Sequence, residues 1–189
     1  VILTEQSPLR PNLDFQYSKE KAETDRMFQA YGKIDSAVSV TVLRSCVVLG
    51  PGGAGSIGSK IFQRVMFRVS GFDPMVQYLH EEDLTEAMVV ALEQRPRGVF
   101  NLAGDGLLRY TDLARLSQRP MMTMPRGILG GLMSTTWLFR LQSGSDAPGL
   151  DFVMYPWVAS SDRWKHDTGF VVKHSSEQAV VSFVNACRG

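Results

Sequence analysis

The 189 residues, 44% hydrophobic and 21% charged, suffice for one ordinary globular domain with a sizeable core. A net charge of +1 and the lack of a Lys/Arg run remove the electrostatic case for a nucleic-acid partner. The most membrane-like stretch, Gly127 to Phe139 between Arg126 and Arg140, falls short of the ~20 residues a span needs, so no membrane partner is expected. Two cysteines without metal or disulfide spacing, Cys46 and Cys187, suit a reducing, cytoplasmic setting.

In chain order, Pro8 and Pro11 keep the first segment extended, and a helical pattern runs from about Asn12 to Tyr31. Tyr17, Lys21, Thr24, Phe28 and Tyr31 recur on one face of it, and Gly32 is expected to stop it. Ala37 to Leu49, dense in Val and Thr, predicts a buried parallel strand. A glycine-rich loop over Gly50–Gly58 leads to a predicted helix near Ser59–Phe67, and Met75–Leu79 reads as a short strand. Leu84, Ala87, Met88, Ala91 and Leu92 put an apolar stripe on a helix from about Glu82 to Gln94, with acids in its first turn and Pro96 and Gly98 past its end. Val99–Ala103 predicts another buried strand and Tyr110–Ser117 a short helix. Residues 119–164 are rich in Met, Gly and aromatics but show poor periodicity. Ser175-Ser176-Glu177-Gln178 is a capping box, opening a last helix that turns Ala179, Val180, Phe183 and Val184 inward. The alternation of helices and strands is α/β.

The sharpest chemical signal is Tyr17 four residues before Lys21, which places an ammonium beside a phenol on one helix face. A neighbouring cation favours ionised tyrosine and draws its pKa down from about 10. Tyr17 is therefore a candidate acid/base for a hydroxyl or carbonyl proton. The same spacing is common on solvated helix faces, so the pair does not decide by itself. Gly53-Ala54-Gly55-Ser56-Ile57-Gly58 is a literal G-x-G-x-x-G, with Asp73 as the distal acid. In a dinucleotide fingerprint the first glycine closes the strand directly, whereas here Gly50-Pro51-Gly52 intervenes. A glycine-rich turn that helps hold substrate is the preferred reading. His80-Glu81-Glu82-Asp83 lacks a second His or Cys cluster, and a helix dipole explains its acids, so no metal is expected. His166-Asp167, Trp137, Trp157 and Trp164 stay open between pocket and core.

Five segments stand in a telling order. They are Leu3-Thr4-Glu5-Gln6-Ser7-Pro8-Leu9-Arg10-Pro11, the Tyr17–Lys21 helix, and Leu43-Arg44-Ser45-Cys46-Val47-Val48-Leu49-Gly50-Pro51-Gly52. Val76-Gln77-Tyr78-Leu79-His80-Glu81-Glu82-Asp83-Leu84 and Gly98-Val99-Phe100-Asn101-Leu102-Ala103-Gly104 follow. This succession resembles the extended short-chain dehydrogenases/reductases, the NAD-dependent epimerase/dehydratase family. There "tEdsplrP", "Y-x-x-x-K-x-x-x-E", "lRp…vyGpg", "fvHvdDva.a" and "g.yNvgg" occur in that order at comparable spacings. The likeness is good over about the first hundred residues and thin afterwards.

The resemblance implies part of a Rossmann-type parallel sheet over residues 1–103, with a substrate-cleft loop at 50–75, and a smaller substrate-binding subdomain over 104–189. It implies NAD or NADP as cofactor. The chemistry would be oxidoreductase, epimerase or dehydratase chemistry at a carbinol carbon of a sugar nucleotide or other small hydroxy/keto substrate. Tyr17 would take the hydroxyl proton, Lys21 would hold the cofactor ribose, and Cys46 would neighbour the nicotinamide. The family's glycine-rich nucleotide-binding half and catalytic Ser/Thr would precede Val1, so the chain is expected to be a fragment, inactive and a poor NAD binder alone. Ser45 replaces the family's usual proline, and Val47 an asparagine that faces sugar-nucleotide substrates. These departures keep a non-catalytic binding or regulatory module as the alternative. A homodimer of the full-length protein is implied through the Tyr-Lys helix, whose Met27 and Ala30 lie off the catalytic stripe.

Overall fold

The computed structural model describes residues 2–13, 16–34, 37–55, 62, 64–131 and 150–188. Its first elements are α1 (Gln16–Ile34), β1 (Thr41–Ser45), β2 (Val47–Leu49), β3 (Met66–Val69), β4 (Met75–Val76), β5 (Tyr78–His80) and α2 (Glu81–Gln94). After these come β6 (Gly98–Leu102), β7 (Leu108–Arg109), α3 (Tyr110–Ser117), β8 (Met121–Met124), α4 (Asp151–Met154), α5 (Asp162–Thr168) and α6 (Ser176–Ala186). The fold is α/β, as the alternating pattern implies. Among the described residues no helix is long and apolar enough to cross a membrane.

One β-branched run organises the sheet. β1 pairs in parallel with β6, from Thr41 opposite Gly98 to Ser45 opposite Leu102. β2 instead pairs in parallel with β5, Val47 opposite Tyr78 and Leu49 opposite His80. Cys46 joins the two, its N–H donating to the Leu102 carbonyl at 2.9 Å, so the ladder is continuous through the change of partner. The single strand expected over Ala37–Leu49 is thus two, and it begins at Thr41.

Met75–Leu79 divides in the same way. β4 runs antiparallel to β7 while β5 joins β2, and the switch falls at the buried Gln77. Its amide donates to the Gly104 carbonyl at 2.8 Å and accepts the Ala159 N–H at 3.0 Å, replacing the ladder bonds that a strand break removes.

Helix α2 begins as its acidic first turn predicts. His80 is the N-cap and accepts the Glu82 N–H through its ring nitrogen, and Arg95 closes the helix in the left-handed conformation. Asp83 is fully buried, yet it accepts the N–H groups of Lys173 and His174 at 3.0 Å each and faces His174 Nδ1 at 3.1 Å. It thereby ties α2 to the segment that opens α6. Its burial also corrects the expected apolar stripe. The arc turned inward runs through Asp83, Leu84, Ala87, Val90 and Ala91, leaving Met88 and Leu92 exposed.

Two further expectations are corrected. α1 starts at Gln16 and passes through Gly32 to Ile34. Gly32 permits close packing rather than ending the helix, because a Cβ there would lie 3.0 Å from Val40 Cβ. Of the helix expected near Ser59–Phe67, residues 59–61 and 63 lie outside the described residues, while Phe62, Arg64 and Val65 are bends and Met66 and Phe67 belong to β3. That strand pairs in parallel with β8, which local periodicity did not suggest.

The capping box at Ser175 and Gln178 forms as expected, and α6 buries Ala179, Val180, Phe183 and Val184. Each large apolar side chain so buried contributes roughly 1.5–3 kcal/mol. They meet Leu49, Val76, Tyr78, Leu108, Tyr110 and Leu113, so this core draws on both sides of residue 103. A second cluster holds Leu79, Ala87, Phe100, Leu102, Trp164 and Phe170 beneath α2 and α5.

Among the described glycines, Gly104 leaves the least room for a side chain. Its N–H donates to the Tyr78 carbonyl, and a Cβ there would fall 2.1 Å from that oxygen. Neither backbone can yield without breaking β5. We expect Gly104→Ala to cost about 3 kcal/mol or more in urea unfolding, as for other forced overpacking. Gly127, in helical residues 126–131 with nothing within 4 Å of its would-be Cβ, is the control. Gly127→Ala should be neutral or stabilise by up to about 1 kcal/mol.

Candidate functional site

Tyr17 and Lys21 stand on the same face of α1, as their spacing requires, with Lys21 Nζ 5.5 Å from the Tyr17 ring centroid. Tyr17 is 53% exposed, so the phenol is open to a ligand. Asp25 continues the column one more helical step. Its carboxylate receives Arg44 of β1 at two points, Nε to Oδ2 at 2.7 Å and an Nη to Oδ1 at 2.9 Å. Gln29 donates to the same carboxylate from the next turn. Arg44, the largest influence, holds the Asp25 carboxyl below its ordinary range, and burial acts the other way. Arg44 lies at the C-terminal end of β1, two residues before Cys46, so the helix face bearing the phenol is fastened to that end of the parallel pair. The spacing of Tyr17 and Lys21 was legible in the sequence; Asp25 and its partner on β1 were not.

The first segment lies nearby. Leu3 exchanges backbone hydrogen bonds with Val158 and Ser160, and Glu5 accepts the Asn101 N–H of β6 at 2.8 Å. The phenols separate by environment. Tyr78 and Tyr110 sit in the core, where burial pushes both up, Tyr110 to about 12, so neither can exchange a proton near neutral pH. Cys46 stands between β1 and β2, where burial pushes its thiol up to about 12, so at neutral pH it is neutral and no nucleophile.

The glycine-rich loop is held by an acid. Gly52 N–H donates to both carboxylate oxygens of Glu81, at 2.9 and 3.1 Å, and Gly53 N–H to the Gly50 carbonyl at 3.0 Å. A Cβ on Gly50 would fall 2.3 Å from Glu81 Cδ. Gly50 and Gly52 accommodate Glu81, and the amide of Gly53, the first motif glycine, is turned to the Gly50 carbonyl. Residues 56–58 of the motif lie outside the described set.

His80, Glu82 and His174 bring donor atoms within 4.8 Å of one another. Every ring nitrogen there has a protein neighbour: His80 meets the Glu82 N–H and Ser182 Oγ, and His174 meets Asp83 and Glu82. The two rings stack at 4.1 Å, and His80 caps α2. Trp164 is core, Trp157 packs edge-on against Tyr78, His166 and Asp167 lie on the surface of α5, and Trp137 lies outside the described residues.

The sequence profile of the NAD dependent epimerase/dehydratase family matches residues 3–103. An uncharacterized protein of Mycobacterium tuberculosis is 26% identical over 125 residues, 66% of this chain and 33% of that protein. Among solved structures, dTDP-glucose 4,6-dehydratase from Bacillus anthracis in complex with NAD superposes with a TM-score of 0.67 at 18% identity, over 100% of this chain and 56% of that one. UDP-glucuronic acid 4-epimerase from Bacillus cereus in complex with NAD gives 0.63 at 12%, over 100% and 56%. The chain thus spans about a third of its curated relative's length and just over half of each solved chain. At these identities the structural likeness establishes the fold.

Two outcomes are expected. Calorimetric titration of these 189 residues with NAD or NADP should show no micromolar binding, since Glu81 has taken the Gly52 amide; micromolar affinity would restore Gly53–Gly58 as a phosphate cradle. Ellman's reagent at pH 8 should label the exposed Cys187 and leave Cys46 unmodified until denaturant is added.

Proposed function

The chain belongs to the NAD dependent epimerase/dehydratase family, and on that premise we propose that it carries the proton-transfer groups of an NAD(P)-dependent oxidoreductase, epimerase or dehydratase. The substrate is a sugar nucleotide or other small hydroxy/keto compound. NAD(P), when bound, takes up the hydride of a carbinol carbon. Tyr17 accepts the hydroxyl proton as the C–O bond gains double-bond character, and returns it when a carbonyl is reduced. Lys21 holds the cofactor ribose through its ammonium. Cys46, neutral and inward, neighbours the nicotinamide as a packing group. The donor set fits the ribose end of a dinucleotide: an accessible phenol and an ammonium side by side. The described part of the glycine loop does not fit the pyrophosphate end.

The observation that carries this reading is the Tyr17–Lys21 pair on a helix face tied by Asp25 and Arg44 to the end of β1. The dTDP-glucose and UDP-glucuronic acid enzymes among the structural neighbours favour a sugar nucleotide. The absence of a disulfide at Cys46 and Cys187 suits a cytoplasmic location. Val47, which stands in for the family's asparagine, packs against the core, and this favours the second reading, a binding module without turnover.

Full-length protein incubated with NAD and UDP-glucuronate, UDP-galactose or dTDP-glucose should produce NADH or an altered sugar, and Tyr17→Phe should lower kcat by roughly 100-fold or more. Binding without turnover across this panel would favour the module. We also propose a dimer through α1, which leaves Met27, Phe28, Tyr31 and Ile34 exposed along its length. Sedimentation velocity should show a two-fold assembly; a monomer persisting at high micromolar concentration would remove it.

A further inference from the structure

We propose that Asp25 and Arg44 are positioning residues for the Tyr17–Lys21 pair, their two-point ion pair fixing the rotation of α1 against the C-terminal end of β1. The inference rests on the reading of Tyr17 as acid/base. It begins from the contact between this helix and the sheet. Among the described residues α1 buries Ala22. A methyl group gives packing no directional preference, so the rotation of the helix calls for a directional contact.

Asp25 supplies it. The side chains of Arg44 and Asp25 are 19% and 10% exposed, sheltered enough for the charges to act with little screening. Both carboxylate oxygens are engaged by one planar guanidinium, so the contact fixes an orientation as well as a distance. Gln29 holds the carboxylate from its own helix. Arg44 is fixed in turn, because β1 is hydrogen-bonded along its length to β6. Arg26 also reaches the Leu9 carbonyl and Ser18 the Asn12 N–H, both in the first segment. Lys21 and Tyr17 lie four and eight residues before Asp25, in the same column. Rotation of α1 about its axis would therefore sweep phenol and ammonium away from the strand end together.

The test uses full-length protein with Asp25→Asn, Arg44→Gln and the double variant, assayed with NAD and whichever of UDP-glucuronate, UDP-galactose or dTDP-glucose the wild type converts. Misplaced reacting groups should lower kcat by about tenfold or more, with KM for the sugar nucleotide changed by less than about threefold. Because the two residues act as one contact, the double variant should be within about twofold of the worse single variant. Amide exchange, which needs no substrate, should quicken about tenfold over residues 16–34 and remain unchanged over 81–94. Where Asp25→Asn does not fold, Arg44→Lys, which keeps the charge without the planar fork, takes its place with the same readouts. An Asp25→Asn protein with kcat within twofold of wild type and unaltered exchange in α1 would overturn the inference, as would losses that simply multiply. Full activity in Tyr17→Phe would instead refute the acid/base reading, and the exchange data would then decide the clamp alone.

Discussion

The structure depends on a single run of chain, Thr41 to Leu49, that changes hydrogen-bonding partner at Cys46 without interrupting its ladder. A strand that continued straight would satisfy one neighbour and leave β5 or β6 without a partner. By turning at Cys46 it gives β1 to β6 and β2 to β5. Parallel pairing of this kind demands cover on its faces. That demand accounts for α2 and α5 over one cluster and α6 over the other. Gly104 and Gln77 serve the same junction: one lets backbone approach the Tyr78 carbonyl, and the other supplies side-chain hydrogen bonds where β4 gives way to β5.

The candidate site inherits its position from that strand. Arg44 is the last but one residue of β1, and through Asp25 it fastens the Tyr17 helix to the end of the parallel pair. Glu81, directly after β5, reaches the loop that follows β2 and occupies the Gly52 amide. One strand thus directs the Tyr17 helix from its first half and the glycine loop from its second. The environment then sorts groups of similar chemistry. Tyr78 and Tyr110 lose their acidity to burial while Tyr17 keeps its access to solvent, and Cys46 becomes an inert neighbour.

Much of this was legible before folding. The acidic first turn of α2, the Ser175–Gln178 box, the inward face of α6 and the Tyr17–Lys21 spacing are local patterns, and each forms where expected. What the sequence hid was non-local. The pairing of β3 with β8 joins residues 55 apart. Met88 and Leu92 fit an apolar stripe by spacing, but a buried carboxylate at Asp83, answering backbone N–H groups 90 residues away, turned the helix elsewhere. Gly32 looked like a terminator because propensity registers its cost and not the Val40 side chain that needs the space. The role of the glycines just before the G-x-G-x-x-G string was hidden for a related reason: only the fold shows that Glu81 fills the space beside Gly50 and Gly52.

The central claim is that Tyr17 and Lys21 face the reacting end of a dinucleotide. A crystal structure of the full-length protein with NAD tests it most directly. The account predicts Lys21 Nζ and Tyr17 Oη within about 3.2 Å of hydroxyls of the nicotinamide ribose. A nicotinamide ribose bound elsewhere, with α1 turned to solvent, would contradict it.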